Sequence, residues 1–174
     1  MPQDKKDNPN SRLNYKGNAV KFKDDDYETH SGILRDLIPY LYPNSKVYDP
    51  FYANGEVIKH WECLGFECIN EKKDAFHREH PEEFDYVISN IPFSIKEECV
   101  KLAFSLGKPF ALLMPIDALG SKWISKYFTQ LEFLIPNKRY NFLKKNEMTK
   151  GCWFDTMWVC HKLSLPSKIV KVIN

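Results

Sequence analysis

Two short loops carry residues whose types and spacing suit chemistry on a small amine. The first reads Asn90-Ile91-Pro92-Phe93 and follows the mostly apolar run Tyr86-Val87-Ile88-Ser89. An exocyclic aromatic amine is a weak nucleophile because its lone pair is delocalised into the ring. An enzyme methylating such an amine should therefore accept hydrogen bonds from both of its hydrogens. The Asn90 side-chain oxygen and a backbone carbonyl beside it supply two acceptors, Pro92 fixes the turn, and the Phe93 ring offers a face to a flipped-out base. The second loop, Asp49-Pro50-Phe51-Tyr52-Ala53-Asn54-Gly55, follows the short run Lys46-Val47-Tyr48. Its Asp49 carboxylate can accept from a ligand ammonium or from loop amides, and Gly55 permits close backbone approach just ahead of a helix.

The elements around these loops must hold them at one edge. Thr29 is placed to cap a helix whose apolar face is Ile33, Leu34, Leu37, Ile38 and Leu41, stopped by Pro43-Asn44-Ser45. Residues 46–48 form a first strand, and a helix carrying Val57, Ile58, Trp61 and Leu64 ends at Gly65. Phe66-Glu67-Cys68-Ile69 forms a second strand, followed by a polar link containing Asp74-Ala75-Phe76. Residues 84–89 form a third strand, Glu97 to Leu106 an amphipathic helix, and Pro109 to Met114 the most apolar strand. This alternation predicts an α/β fold with a mostly parallel sheet flanked by helices. In such sheets ligands bind outside the carboxyl ends of the strands, where both unusual loops fall.

Composition narrows the classes. The chain has 174 residues, 43% of them hydrophobic and 14% aromatic, as in a globular protein. No run approaches the roughly 18 to 20 apolar residues that span a bilayer. The opening residues lack the apolar stretch of a secretory signal, so an intracellular location, cytoplasmic or nuclear, is expected, with no membrane partner. Five cysteines without a Cys-x-x-Cys pair read as reduced thiols rather than a metal centre. The net charge of +2 hides an asymmetry: residues 1–23 carry six Lys/Arg against two Asp, residues 24–135 eleven against nineteen acids, and residues 136–174 eight against two. Basic ends on an acidic body suit contact with a phosphate backbone. Residues 1–23 read as a flexible basic arm and 24–174 as one domain.

The two loops together resemble those of the amino-methyltransferases, which carry Asp-Pro-Phe-x-Gly-x-Gly after the first strand and Asn-Pro-Pro-Phe or Asn-Pro-Pro-Tyr after the fourth. Residues Gly65 to Ile69 with Asp74-Ala75-Phe76 are similar to the second strand and adenine-side acidic motif of small viral and phage adenine methyltransferases. Lys108 to Leu119 is similar to their fifth strand and loop, and Arg139, Phe142 and Phe154 to Cys160 to their closing hairpin. The resemblance runs from Tyr27 to Cys160. It implies a Rossmann-like class I methyltransferase fold with a C-terminal antiparallel hairpin, S-adenosylmethionine as cofactor, and adenine N6 in nucleic acid as acceptor, with DNA first and RNA close behind.

Carried over by position, Asn90, Ile91, Pro92 and Phe93 form the catalytic set. Asp49, Phe51, Asn54 and Gly55 border the methionine part of the cofactor, which Thr29 and His30 approach from the preceding helix. Asn70 or Glu71 meets the ribose, and Asp74 lies near the cofactor adenine. Lys138, Arg139, Lys144 and Lys145 face the substrate. Two departures stand out: Ala53 replaces the first family glycine, losing access to positive φ and narrowing the loop by a methyl group, and Ile91 replaces the first proline while keeping the backbone carbonyl. A protein glutamine-amide methyltransferase uses the same acceptor logic, and a catalytically inactive methyltransferase-like subunit is the reading that Ala53 and Ile91 would favour. The roughly forty residues after the core are too few for a separate target-recognition domain of the usual size, so sequence preference is expected to be short, shape-based or supplied by a protein partner.

Overall fold

A computed structural model describes residues 28–144, 147–148 and 154–172. The expected arm over 1–23, with Tyr27 and Lys145, lies outside the described residues. Seven strands form one sheet: β1 (Lys46–Tyr48), β2 (Glu67–Ile69), β3 (Tyr86–Asn90), β4 (Phe110–Pro115), β5 (Glu132–Ile135), β8 (Thr156–His161) and β9 (Ile169–Lys171). A separate antiparallel hairpin pairs β6 (Leu143–Lys144) with β7 (Glu147–Met148). The sheet order is β2-β1-β3-β4-β8-β5-β9. Every pairing is parallel except those of β8, which runs antiparallel to both β4 and β5. This is a Rossmann-like, mostly parallel sheet with β8 as its one reversed strand, and β8 forms an antiparallel pair with β5 toward the C-terminus.

The central strands are covered on both faces. β4 is buried along all six residues, and Val47, Tyr48, Val87, Phe110, Phe133, Trp158 and Val159 are among the residues fully withdrawn from water. α2 (Val57–Glu62) packs through Trp61 against Phe66 beside β2, with ring centroids 5.6 Å apart. α3 (Lys96–Ser105) packs through Phe104, edge-on to Phe110 of β4 and to His161 of β8.

The segment expected as a single capped helix differs. α1 spans only Ser31–Leu34, and a 3-10 turn continues over Arg35–Tyr40. Pro39 lies inside that turn and has no N–H for the α-helical ladder, so the tighter winding takes over. The apolar face is nonetheless used: Ile33, Leu34, Leu37 and Leu41 are all buried. The cap also falls one residue later than expected, on His30, whose Nδ1 accepts from the Gly32 N–H at 3.1 Å. Gly32 makes room for this, since a β-carbon there would lie 2.8 Å from the His30 ring.

Candidate active site

The parallel register brings four side chains at strand ends to one edge. Tyr48 of β1 pairs with Ile69 of β2 and Val87 of β3, so Asp49, Asn70 and the Ser89-Asn90 step emerge side by side at the carboxyl ends of neighbouring strands. Asp49 is 4% exposed. Its Oδ1 accepts from the Ser89 hydroxyl at 2.6 Å and from the Phe51 N–H at 3.1 Å. Burial outweighs these two donors and pushes the Asp49 carboxyl up to about 7. Both donors meet the same oxygen.

Asn70 pins the loop from the adjacent strand. Its amide donates to the Asp49 carbonyl at 3.0 Å and reaches toward that of Phe51 at 3.5 Å, while its buried Oδ1 has no partner among the described residues. Gly55 takes φ +84° and faces the Tyr52 ring, and Asn54 Oδ1 accepts from the Glu56 N–H at 3.0 Å to lead into α2. Ala53 is not among the residues at positive φ. The loop therefore turns on Gly55 alone, and the alanine in place of the first family glycine costs no backbone strain.

Beyond β2 the two expected acids are already engaged. Glu71 pairs with Lys73 at 3.0 Å and with the buried Arg78 guanidinium, and these cations hold its carboxyl below the usual range. Asp74 accepts from the Phe76 N–H at 2.8 Å and from His77 at 3.1 Å, which hold it low as well. Phe76 is partly exposed and leans on Phe51, centroids 5.8 Å apart. Between the β1 and β2 loops lies an open cleft of about 630 Å³ lined by Tyr52, Ala53, Asn54, Lys72, Lys73 and Asp74.

On the catalytic side, Asn90 ends β3 beside Leu113 of β4, and Ile91 is 3% exposed. Pro92 takes φ −59°, ψ 117°, and Phe93 opens a short 3-10 turn that runs into α3. Lys96 Nζ donates to the Phe93 carbonyl at 2.8 Å. The Phe93 ring departs from expectation: it is 3% exposed and meets Phe154 edge-on at 5.6 Å, so it presents no open face to a base in this conformation.

Thr29 is buried with its hydroxyl unpartnered among the described residues. Both ring nitrogens of His30 are committed, Nδ1 to Gly32 and Nε2 to the Asn141 carbonyl at 2.8 Å. Lys138 and Arg139 are exposed beyond β5, and Arg139 forks onto Asp155 at 2.7 and 3.3 Å. Lys144 lies in β6, and Lys145 is outside the described residues. Sequence reasoning missed Ser89, the residue that joins the two loops. Its one signal was a hydroxyl in an apolar strand directly before Asn90. Among the described residues no group of three or more His, Cys, Asp or Glu side chains could hold a metal ion, and no helix is long and apolar enough to cross a membrane.

No known family model matches the chain, and no curated protein matches it in sequence. Solved structures similar to it in outline include the 23S rRNA methyltransferase ErmE, at 13% identity and TM-score 0.46, covering 78% of this chain and 68% of that one. They also include a dimethyladenosine transferase from Plasmodium falciparum, at 15% identity and TM-score 0.47, covering 78% of this chain and 62% of that one. A third, from Listeria monocytogenes, is described as a class I S-adenosylmethionine-dependent methyltransferase; it shares 12% identity with TM-score 0.48, covering 82% of this chain and 63% of that one. The chain thus spans between 62% and 68% of the length of these proteins.

Proposed function

We propose that this protein is an S-adenosylmethionine-dependent methyltransferase acting on adenine N6 in nucleic acid, with DNA the first candidate and RNA close behind. The observation that carries the reading is the Ser89 bridge, which sets the buried Asp49 carboxyl beside the strand tip that ends in Asn90. A ligand-binding acid and an amine-holding amide then share one edge, one strand apart.

The residues fit the cofactor. Asn70 Oδ1 is a buried acceptor without a partner among the described residues, the Asp49 carboxyl beside it receives its two donors on Oδ1, and a ligand bringing an ammonium and hydroxyl groups supplies further donors to both side chains. Bound there, S-adenosylmethionine supplies an electrophilic methyl group. Asp49 would take its ammonium with Phe51 bordering the methionine part, Asn70 would hold the loop and meet a ribose hydroxyl, and Phe76 would flank the cofactor adenine near Asp74. Asn90 and the Ile91 carbonyl would accept from the two amine hydrogens, keeping the nitrogen lone pair directed at the methyl carbon. With Asp49 committed to the cofactor ammonium, the proton displaced from the amine would leave to solvent, and positioning would carry the rate. Lys138, Arg139, Lys144 and Lys145 would lie along the nucleic acid backbone.

Calorimetry with S-adenosylmethionine and its demethylated product tests the cofactor half. The parent should bind both, and Asp49→Ala should weaken binding at least tenfold by removing the ammonium's partner. Absence of binding by the folded parent at millimolar cofactor would overturn the reading.

A further inference from the structure

Two hydrogen bonds join the element preceding β1 to the segment leaving β5, across 111 and 104 residues of chain. His30 accepts at Nδ1 from Gly32, so its proton lies on Nε2, which donates to the Asn141 carbonyl at 2.8 Å. The Tyr140 hydroxyl donates to the Asp36 carboxylate. Tyr140 is 4% exposed, and burial together with Asp36 pushes its phenol well above the ordinary range, so it remains a donor.

Directly beyond this pair the chain reaches the catalytic loop. Phe142 is fully buried and lies against Phe154 at 6.3 Å, and Phe154 meets Phe93 edge-on at 5.6 Å. Arg139 and Asp155 close the base of the same excursion, and the Asp155 carbonyl accepts from the Ile116 N–H at 2.9 Å beyond β4. The sheet does not need the two long-range bonds, because β5 and β8 already pair with each other. What the bonds add is a fixed path from α1, through residues 140–142 and Phe154, to Phe93.

We propose that His30 and Asp36 are positioning residues for the substrate side: by fastening Asn141 and Tyr140 they hold Phe142 and Phe154 against Phe93, and so set the catalytic loop from the element that precedes the cofactor strand. The proposal rests on the reading of Asn90 to Phe93 as the amine-holding loop. Its consequence is that loss of the Tyr140–Asp36 fastening impairs use of the nucleic acid while leaving cofactor affinity alone.

The test uses Tyr140→Phe, which removes one hydroxyl, Asp36→Ala, their double variant, and His30→Asn, which keeps a capping side chain for α1 but is too short for Asn141. Steady-state methyl transfer and cofactor calorimetry are measured on the first three, and amide hydrogen exchange on all four. Tyr140→Phe and Asp36→Ala should each lower kcat/KM for an adenine-containing oligonucleotide by about tenfold, as expected for one buried hydrogen bond. The double variant should lose no more than either single, the cofactor dissociation constant should stay within about twofold, and exchange should quicken at residues 139–142 and 154–158. His30→Asn, at a residue also expected near the cofactor, is read by exchange alone and should quicken it over the same residues. Parent-like kinetics despite faster local exchange, an equal loss of cofactor affinity, or exchange quickened across the whole sheet would overturn the positioning role. A folded parent that transfers no methyl group would overturn the proposed function and the positioning role with it, while the exchange pattern would still report whether the fastening exists.

Discussion

The Asp49 carboxyl sits out of water between two donors that meet the same oxygen, and burial outweighs both. Its folded value of about 7 lies above the roughly 3.9 of an unfolded chain, so the native state binds the extra proton. The stabilisation this gives is fully present below about pH 4 and is lost as pH rises through about 7. Asp49→Asn cannot titrate, so its melting temperature relative to the parent should climb between pH 4 and 7 and level off above; parallel profiles in thermal unfolding would contradict the burial argument. The same group links pH to the ligand. A cofactor ammonium needs the carboxylate, so below about pH 7 binding must release a proton, and affinity should rise up to tenfold per pH unit toward 7. Calorimetry in buffers of different ionisation enthalpy reads that proton directly.

At the scale of elements, the first loop turns on one residue. Gly55 holds φ +84°, and a β-carbon there would lie 3.2 Å from the Tyr52 ring, so Gly55→Ala should cost about 1–2 kcal/mol and loosen cofactor binding. Ala53→Gly should change cofactor affinity less than about threefold, because that position does not use positive φ. A large gain in affinity for Ala53→Gly would show that the methyl group obstructs the site. The same contrast marks what the sequence could reveal. Asp49 to Gly55 and Asn90 to Phe93 are contiguous strings at strand ends, so their type and place were readable, as were β1 to β4 and both longer helices. The Ser89 contact with Asp49 was not, because it depends on the parallel register of β1 and β3 across 40 residues. The Tyr140–Asp36 fastening spans 104 residues and left no local pattern. β5 and β9 are about as short as β1 and β2 but have no adjoining motif of the kind that marked the ends of β1 and β3. The cap moved from Thr29 to His30 because an imidazole nitrogen can do the work of a hydroxyl when the next residue but one is glycine.

For the whole molecule, the acidic middle and basic end seen in the sequence meet in one fold, with Lys138, Arg139 and β6 on the excursion that reaches the catalytic loop. If this face neutralises phosphates, binding of labelled duplexes should fall linearly on a log–log salt plot, with a slope near −0.9 per phosphate. Reversing charge at Lys144 and Lys145 should shallow that slope and weaken every sequence alike, whereas Arg139→Ala should act less through the slope because Asp155 already offsets its charge. Fluorescence anisotropy across salt checks both, and an unchanged slope would remove this face from the interface. The central claim is methyl transfer to an adenine amine held by Asn90. The most direct measurement is transfer of a radiolabelled methyl group from S-adenosylmethionine to DNA, RNA and protein pools by the parent and Asn90→Ala, followed by nucleoside and amino-acid analysis. The account requires label in N6-methylated adenine nucleosides, with turnover by Asn90→Ala lower by about two to three orders of magnitude at nearly unchanged cofactor affinity. Label on protein glutamine, on cytosine, or undiminished in Asn90→Ala would contradict it.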